Sequence, residues 1–158
     1  MPDDTVIEFD TASRVHIGLA VTDRDRSIDF YRTLLGADPT KVRPGYAKFE
    51  ISDPPLNLAL NESGINGAGT RPASLHYGVQ VKSSGAVHAM TERLKQAGLD
   101  VRVEERTACC YAVQTKVWAT DPDGNPWEVF VVLDADVDQR ASAESSCCDD
   151  ACCSAADL

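Results

Sequence analysis

Two segments of the chain share one alternating pattern. Residues 14–21 read RVHIGLAV and residues 74–81 read SLHYGVQV, superposing at an offset of 60 as H-x-G-x-x-V. Alternation of apolar and small or polar side chains predicts a strand in each case. On the first, Val15, Ile17, Leu19 and Val21 face one way and His16, Gly18 and Ala20 the other. On the second, Leu75, Tyr77, Val79 and Val81 oppose His76, Gly78 and Gln80. A helical stretch follows each strand. Ile28, Tyr31 and Leu35 mark one face of Ser27 to Leu35, and Val87, Met90 and Leu94 one face of Ala86 to Ala97. Both helices are predicted to stop near a glycine, Gly36 and Gly98.

Strand patterns come next in both halves: Tyr46 to Ile51 and Leu56 to Leu60, then Val101 to Glu104, Val113 to Ala119 and Trp127 to Leu133. The turn DPDGN at 121–125 precedes the last strand, and DPP at 53–55 occupies the matching place in the first half. The predicted architecture is therefore α+β, two βαβββ modules forming a cupped mixed sheet. The modules span 13–62 and 73–134, joined by the glycine-rich linker 63–72. Residues 1–12 form an N-terminal extension. Residues 135–158, nearly devoid of large apolar side chains, are expected to be disordered.

At 158 residues the chain holds about one domain. Its net charge is -10, and residues 134–158 carry seven acids against one base, so the body is only mildly acidic. No basic face is available to neutralise phosphates, which excludes nucleic acid as a partner. No apolar run approaches a membrane span and the acidic N-terminus has no export signal, so a cytoplasmic protein without membrane association is expected. All six cysteines occur as adjacent pairs. Neighbouring Cα atoms lie about 3.8 Å apart, too close for an unstrained disulfide, so free thiols are expected.

The alternation puts His16 and His76 at equivalent places on faces lined by small residues. Glu128 lies in the otherwise apolar run WEVFVVL, where a carboxylate is costly unless paired or bound to metal. Two histidines and one carboxylate are the ligand type of open non-haem Fe(II) sites, and the set also suits zinc, nickel or manganese. The matching strand of the first half, LNLALN at 56–61, offers no His, Asp or Glu, which favours an open three-ligand site. His88 matches no ligand position and reads as a surface or helix-packing residue.

Sulfur supplies a second constellation. The D-P pairs are 68 residues apart and the histidines 60, so the second half has extra residues, falling about EERTACCYAVQTK at 104–116. Inserted loops commonly carry function. Adjacent Cys109 and Cys110 could present two soft sulfurs to trivalent arsenic, antimony, cadmium or mercury.

The repeat with His16, His76 and Glu128 resembles the vicinal oxygen chelate superfamily over roughly 13–134. Within it, FYRTLLGADPTKVRPGYAKFEISDPPLNLALNE at 30–62, TACCYAVQTKVW at 107–118 and PDGNPWEVFVVL at 122–133 are similar to the carbon-arsenic lyase and cadmium-induced protein family. That resemblance implies Fe(II)- and dioxygen-dependent cleavage of trivalent organoarsenicals such as methylarsonous acid to arsenite, and so organoarsenical resistance. Ni, Co, Mn or Zn would be substitutes for iron in vitro. It implies His16, His76 and Glu128 as ligands and Cys109 and Cys110 as the arsenic-binding thiols. Some family members carry glutamine at the first ligand position, where this chain has His16. Lys116 is a further candidate, contacting a ring substituent of an aromatic arsenical, with a solvated lysine as the alternative. The tail pairs Cys147–Cys148 and Cys152–Cys153 could bind metalloid as an accessory site or hold zinc or cadmium with four thiolates.

Two other functions remain open at this level. One is a sequestering protein that binds cadmium or metalloid without turnover; the other is an isomerase or ring-cleaving enzyme on the same scaffold. The first leaves the triad without a role and the second leaves Cys109 and Cys110 without one. The modules could close within one chain or between two chains of a homodimer.

Overall fold

A computed structural model describes residues 9–63, 75–109 and 112–135. It divides into two units, Met1–Gly67 and Ala68–Leu158. In the first unit the order is β1 (Val15–Val21), α1 (Arg24–Leu35), β2 (Lys41–Arg43), β3 (Tyr46–Ile51) and β4 (Leu56–Glu62). The second unit repeats it with β5 (Tyr77–Gln80), α2 (Ser84–Gln96), β6 (Val101–Cys109), β7 (Ala112–Thr120) and β8 (Pro126–Asp134).

Each unit forms a four-stranded mixed sheet with the same permuted order, β1-β4-β3-β2 and β5-β8-β7-β6. In both, the first strand pairs parallel with the last and the remaining pairs are antiparallel. The α+β class and the two βαβββ modules are thus realised. The shared strand order is a far stronger sign of duplication than the short H-x-G-x-x-V match, because it involves every strand.

Both helices begin earlier than their hydrophobic faces suggest. The Asp23 carboxylate accepts from the Arg26 amide and the Ser83 hydroxyl oxygen from the Ala86 amide, so each helix is capped before its first apolar residue. The polar first turns carry no periodic signal, which explains the late predicted start. At the other end Gly36 adopts φ 68°, and its amide donates to the Arg32 carbonyl. A left-handed residue closes the helix at little steric cost only when it is glycine.

The buried face of α1 is Ile28, Tyr31 and Leu34, with Phe30, rather than a face ending in Leu35. Unit 1 buries them with Leu19, Val21, Phe49, Leu58 and Leu60. Each fully buried large side chain is worth about 1.5–3 kcal/mol in transfer from water. In unit 2, α2 buries Val87, Thr91 and Leu94, and the sheet buries Val117, Ala119, Val129 and Val131. Met90 is only half-buried.

One segment differs from its sequence reading. The extra residues about 104–116 do not form a polar loop over their whole length but lengthen β6 and β7 into a hairpin. Pairing continues from Val101 opposite Ala119 out to Cys109 opposite Ala112. The register shifts between Glu104 and Thr107, where Arg106 takes a positive φ of 51°. A bulge absorbs an odd residue without ending the ladder, so an insertion can extend strands.

Candidate functional site

Strand register assembles a polar cluster on one face of the second sheet. Gly78 on β5 lies opposite Glu128 on β8, and Glu128 lies opposite Trp118 on β7. Lys116, two residues from Trp118, is therefore a diagonal neighbour of Glu128. Alternation sends Val117, Ala119, Val129 and Val131 into the core and leaves Lys116, Trp118 and Glu128 together on the other face.

The Glu128 side chain is fixed from three sides. Oε2 accepts from Lys116 Nζ at 2.9 Å, with side-chain exposures of 9% and 2%. Oε1 lies 3.5 Å from His76 Nε2. Cγ packs over Gly78, where an added β-carbon would come within 2.9 Å of it. The His76 ring meets Trp118 edge-on at 5.4 Å, and the Lys116 ammonium lies 5.3 Å from the Trp118 ring centroid and 6.0 Å from that of Phe130. A buried carboxylate needs a compensating charge, and Lys116 supplies it. Trp118 Nε1 is buried without a hydrogen-bond partner among the described residues.

His16 stands in the other unit, on β1. Its Nδ1 is 3.0 Å from the Asn57 carbonyl oxygen, and Asn57 is its register partner on β4. A carbonyl can only accept, so Nδ1 is the donor in this bond and Nε2 is the ring nitrogen that does not take part in it. The residue of β4 that lies opposite Gly18 is Ala59, at the place where β8 has Glu128 opposite Gly78.

The predicted site residues therefore fall as follows. His76, Glu128 and Lys116 are brought together in unit 2. Within neither unit do the described residues gather three His, Cys, Asp or Glu side chains close enough to hold an ion. Lys116 is not a solvated lysine but the buried partner of Glu128. Cys109 closes β6, whereas Cys110 and the tail cysteines Cys147, Cys148, Cys152 and Cys153 lie outside the described residues. His88 is an exposed residue of α2, 3.5 Å from Glu105. Sequence reasoning missed Gly78 and Trp118 as parts of the site. The hairpin turn at 121–125 held the signal, since pairing about Asp123 sets Trp118 against Glu128.

A separate charged cluster belongs to unit 1. Glu50 accepts from Arg14 at 2.6 Å and from Thr40 at 2.9 Å, with Lys48 Nζ 3.1 Å away. Burial works to raise its pKa, but these hydrogen bonds and the Lys48 charge outweigh it and lower the value from 4.5 to about 2. A cavity of about 380 Å³ opens beside it, lined by Phe9, Asp10, Arg14 and Thr40 among others, and contains none of the predicted ligands.

Residues 13–129 match the Glyoxalase/Bleomycin resistance protein/Dioxygenase superfamily. The chain belongs to that superfamily. Its relatives include a trivalent organoarsenical cleaving enzyme of Thermomonospora curvata, 51% identical over 137 residues, covering 86% of this chain and 87% of the relative. A cadmium-induced protein of Mycobacterium tuberculosis is 49% identical over 121 residues, 77% of each chain. Among solved structures, a glyoxalase/bleomycin resistance protein/dioxygenase from Alicyclobacillus acidocaldarius has a TM-score of 0.63 at 19% identity, covering 78% of this chain and 93% of that one. That likeness concerns the fold. No helix among the described residues is long and apolar enough to cross a membrane.

Proposed function

We propose that this superfamily member is an enzyme that cleaves the carbon-arsenic bond of trivalent organoarsenicals in a reaction dependent on Fe(II) and dioxygen. The observation that carries the reading is the placement of Glu128. A carboxylate clasped by Lys116 through one oxygen turns the other towards an imidazole, and that nitrogen-oxygen donor pair suits a divalent first-row ion. The 51% identity to a named trivalent organoarsenical cleaving enzyme supplies the substrate class.

In this reading His76 and Glu128 would hold the metal with His16, whose Nε2 does not take part in the bond from Nδ1 to Asn57. Fe(II), bound by three protein ligands, would supply open positions at which dioxygen is activated beside the substrate. Cys109 and Cys110 would bind the arsenic. Trivalent arsenic exchanges two hydroxyls for the sulfurs of two thiols, whose protons leave with the hydroxyls as two waters, which anchors the substrate and orients its remaining carbon. A pentavalent acid lacks that route, so the enzyme selects the trivalent form. Holding both reactants in one site is where the rate gain arises. The protein would act in the cytoplasm, as one chain or a homodimer.

The test is to load reduced protein anaerobically with Fe(II), add methylarsonous acid, admit air and separate the arsenic species, with Cys109→Ser and His76→Ala alongside. Arsenite that forms only with iron, oxygen and both residues is the expected result. Stoichiometric binding with the arsenical recovered unchanged would replace this reading with a sequestering protein, a function compatible with the cadmium-induced relative.

A further inference from the structure

The buried ammonium of Lys116 has a consequence for any cation that reaches Glu128. The carboxylate already has a positive partner at 2.9 Å, and both side chains are more than nine-tenths buried. Trp118 and Phe130 offer ring faces to the same ammonium, at 5.3 and 6.0 Å, in place of water. The absent β-carbon of Gly78 is what lets Glu128 lie this close to β5, since a β-carbon there would stand 2.9 Å from its Cγ. Lys116 thus holds the carboxylate in a fixed direction, with Oε1 towards His76 and Oε2 occupied.

We propose that Lys116 is the resident counter-cation of Glu128: it positions the carboxylate before a metal arrives and makes the metal compete with an ammonium, so that it sets the metal affinity of the site. This rests on the reading of Glu128 as a ligand. Two cations sharing one carboxylate repel each other, and the repulsion is weakly screened where water is scarce. Removing the ammonium abolishes that repulsion. It also leaves the metal-free protein with an uncompensated buried charge, which metal binding then relieves. Both effects act in one direction: a neutral residue at 116 tightens binding. Lys116 is in this sense a positioning residue, acting through Glu128.

The experiment titrates Co(II) anaerobically into wild type, Lys116→Met, Lys116→Gln, Lys116→Arg and Glu128→Gln, following the visible absorption of the bound ion against a competing chelator. Lys116→Met and Lys116→Gln are expected to bind Co(II) about tenfold tighter than wild type or more, a small part of what two close charges exert at an effective dielectric of about 20. Lys116→Gln keeps a hydrogen-bond donor to Oε2 and so isolates the charge. Lys116→Arg keeps the charge, so its affinity is expected to stay within about threefold of wild type. Thermal melts provide a second readout. Without metal Lys116→Met melts below wild type, and saturation with Co(II) closes the gap. Binding that depends on Glu128 but is unchanged or weaker in both neutral variants overturns the proposal alone. Equal binding by wild type and Glu128→Gln, or none by either, overturns the reading of Glu128 as a ligand and the proposal with it.

Discussion

Glu128 crosses its neighbouring strand directly over Gly78, so closely that a β-carbon on Gly78 would stand 2.9 Å from Glu128 Cγ and 3.4 Å from Oε1. Gly18 holds the same place in the repeated H-x-G-x-x-V segment, yet nothing lies within 4 Å of the position its β-carbon would take, because Ala59 is opposite. The same motif glycine is therefore a steric requirement in one unit and a free position in the other.

Gly78→Ala and Gly18→Ala test this asymmetry directly. Gly78→Ala forces the Glu128 side chain or its strand to move, and overpacking of this kind costs about 1–3 kcal/mol. A metal site that depends on Glu128 should weaken about tenfold with it. Gly18→Ala adds only exposed volume and reduces the freedom of the unfolded chain, so its stability should be unchanged or higher by about 0.5 kcal/mol. Chemical denaturation and Co(II) titration of the pair decide the matter, and equal loss in both variants would refute the role given to Gly78.

The Glu50 cluster predicts a pH dependence with a definite sign. The folded value of about 2 lies below the ordinary 4.5, so the charged form is the one that the native state favours. Its stabilisation is complete above about pH 4.5 and is lost as pH falls towards about 2. A shift of that size is worth about 3 kcal/mol at most. Glu50→Gln should accordingly be less stable than wild type at pH 7, with the difference shrinking between pH 4.5 and pH 2. A gap that stays constant across this range would show that Glu50 contributes through packing and not through its charge.

Much of this molecule is written in period-2 alternation. The small-residue face of RVHIGLAV predicts His16 opposite Leu19 and Val21, and the structure buries those two aliphatics while His16 is exposed. Val15 is 61% exposed, because alternation tells which face a residue takes and not how far along the strand the helix covers it. The short strand Lys41–Arg43 has no apolar pattern to announce it and exists through its pairing with Tyr46–Lys48. The partnership of Lys116 with Glu128 joins two strands, so no local pattern of either shows it. A lysine in TKVW reads as solvent-facing until register places it beside a carboxylate that needs a counter-charge. The length of the hairpin was hidden for a similar reason: Thr107, Ala108 and Cys109 are polar or small, and strand pairing rather than hydrophobicity carries them.

The turn that sets this register can be broken separately. Asp121, buried between β7 and β8, accepts from the backbone amides of Asp123 at 3.0 Å and Asn125 at 2.7 Å and from the Asn125 side-chain amide. Asp121→Ala strands buried donors of Asn125, and each such loss costs about 1–3 kcal/mol. The variant should melt several degrees lower, with Asp121→Asn between it and wild type because its carbonyl oxygen keeps one acceptor. A Tm for Asp121→Ala equal to that of wild type would mean that strand pairing alone fixes β8.

Deleting residues 137–158 separates the body from the tail. Among the described residues the ladder of β7 and β8 runs to the pair Val113 and Asp134, and the deletion leaves that pairing intact. It removes four of the six thiols, Cys147, Cys148, Cys152 and Cys153, and keeps Cys109 and Cys110. Turnover of methylarsonous acid by the Fe(II)-loaded protein should therefore match that of the full chain. The number of trivalent arsenic equivalents bound under reducing conditions should fall, because paired thiols are what such an ion takes up. Loss of turnover would place part of the machinery in the tail, whereas unchanged arsenic stoichiometry would deny the tail cysteines any accessory role.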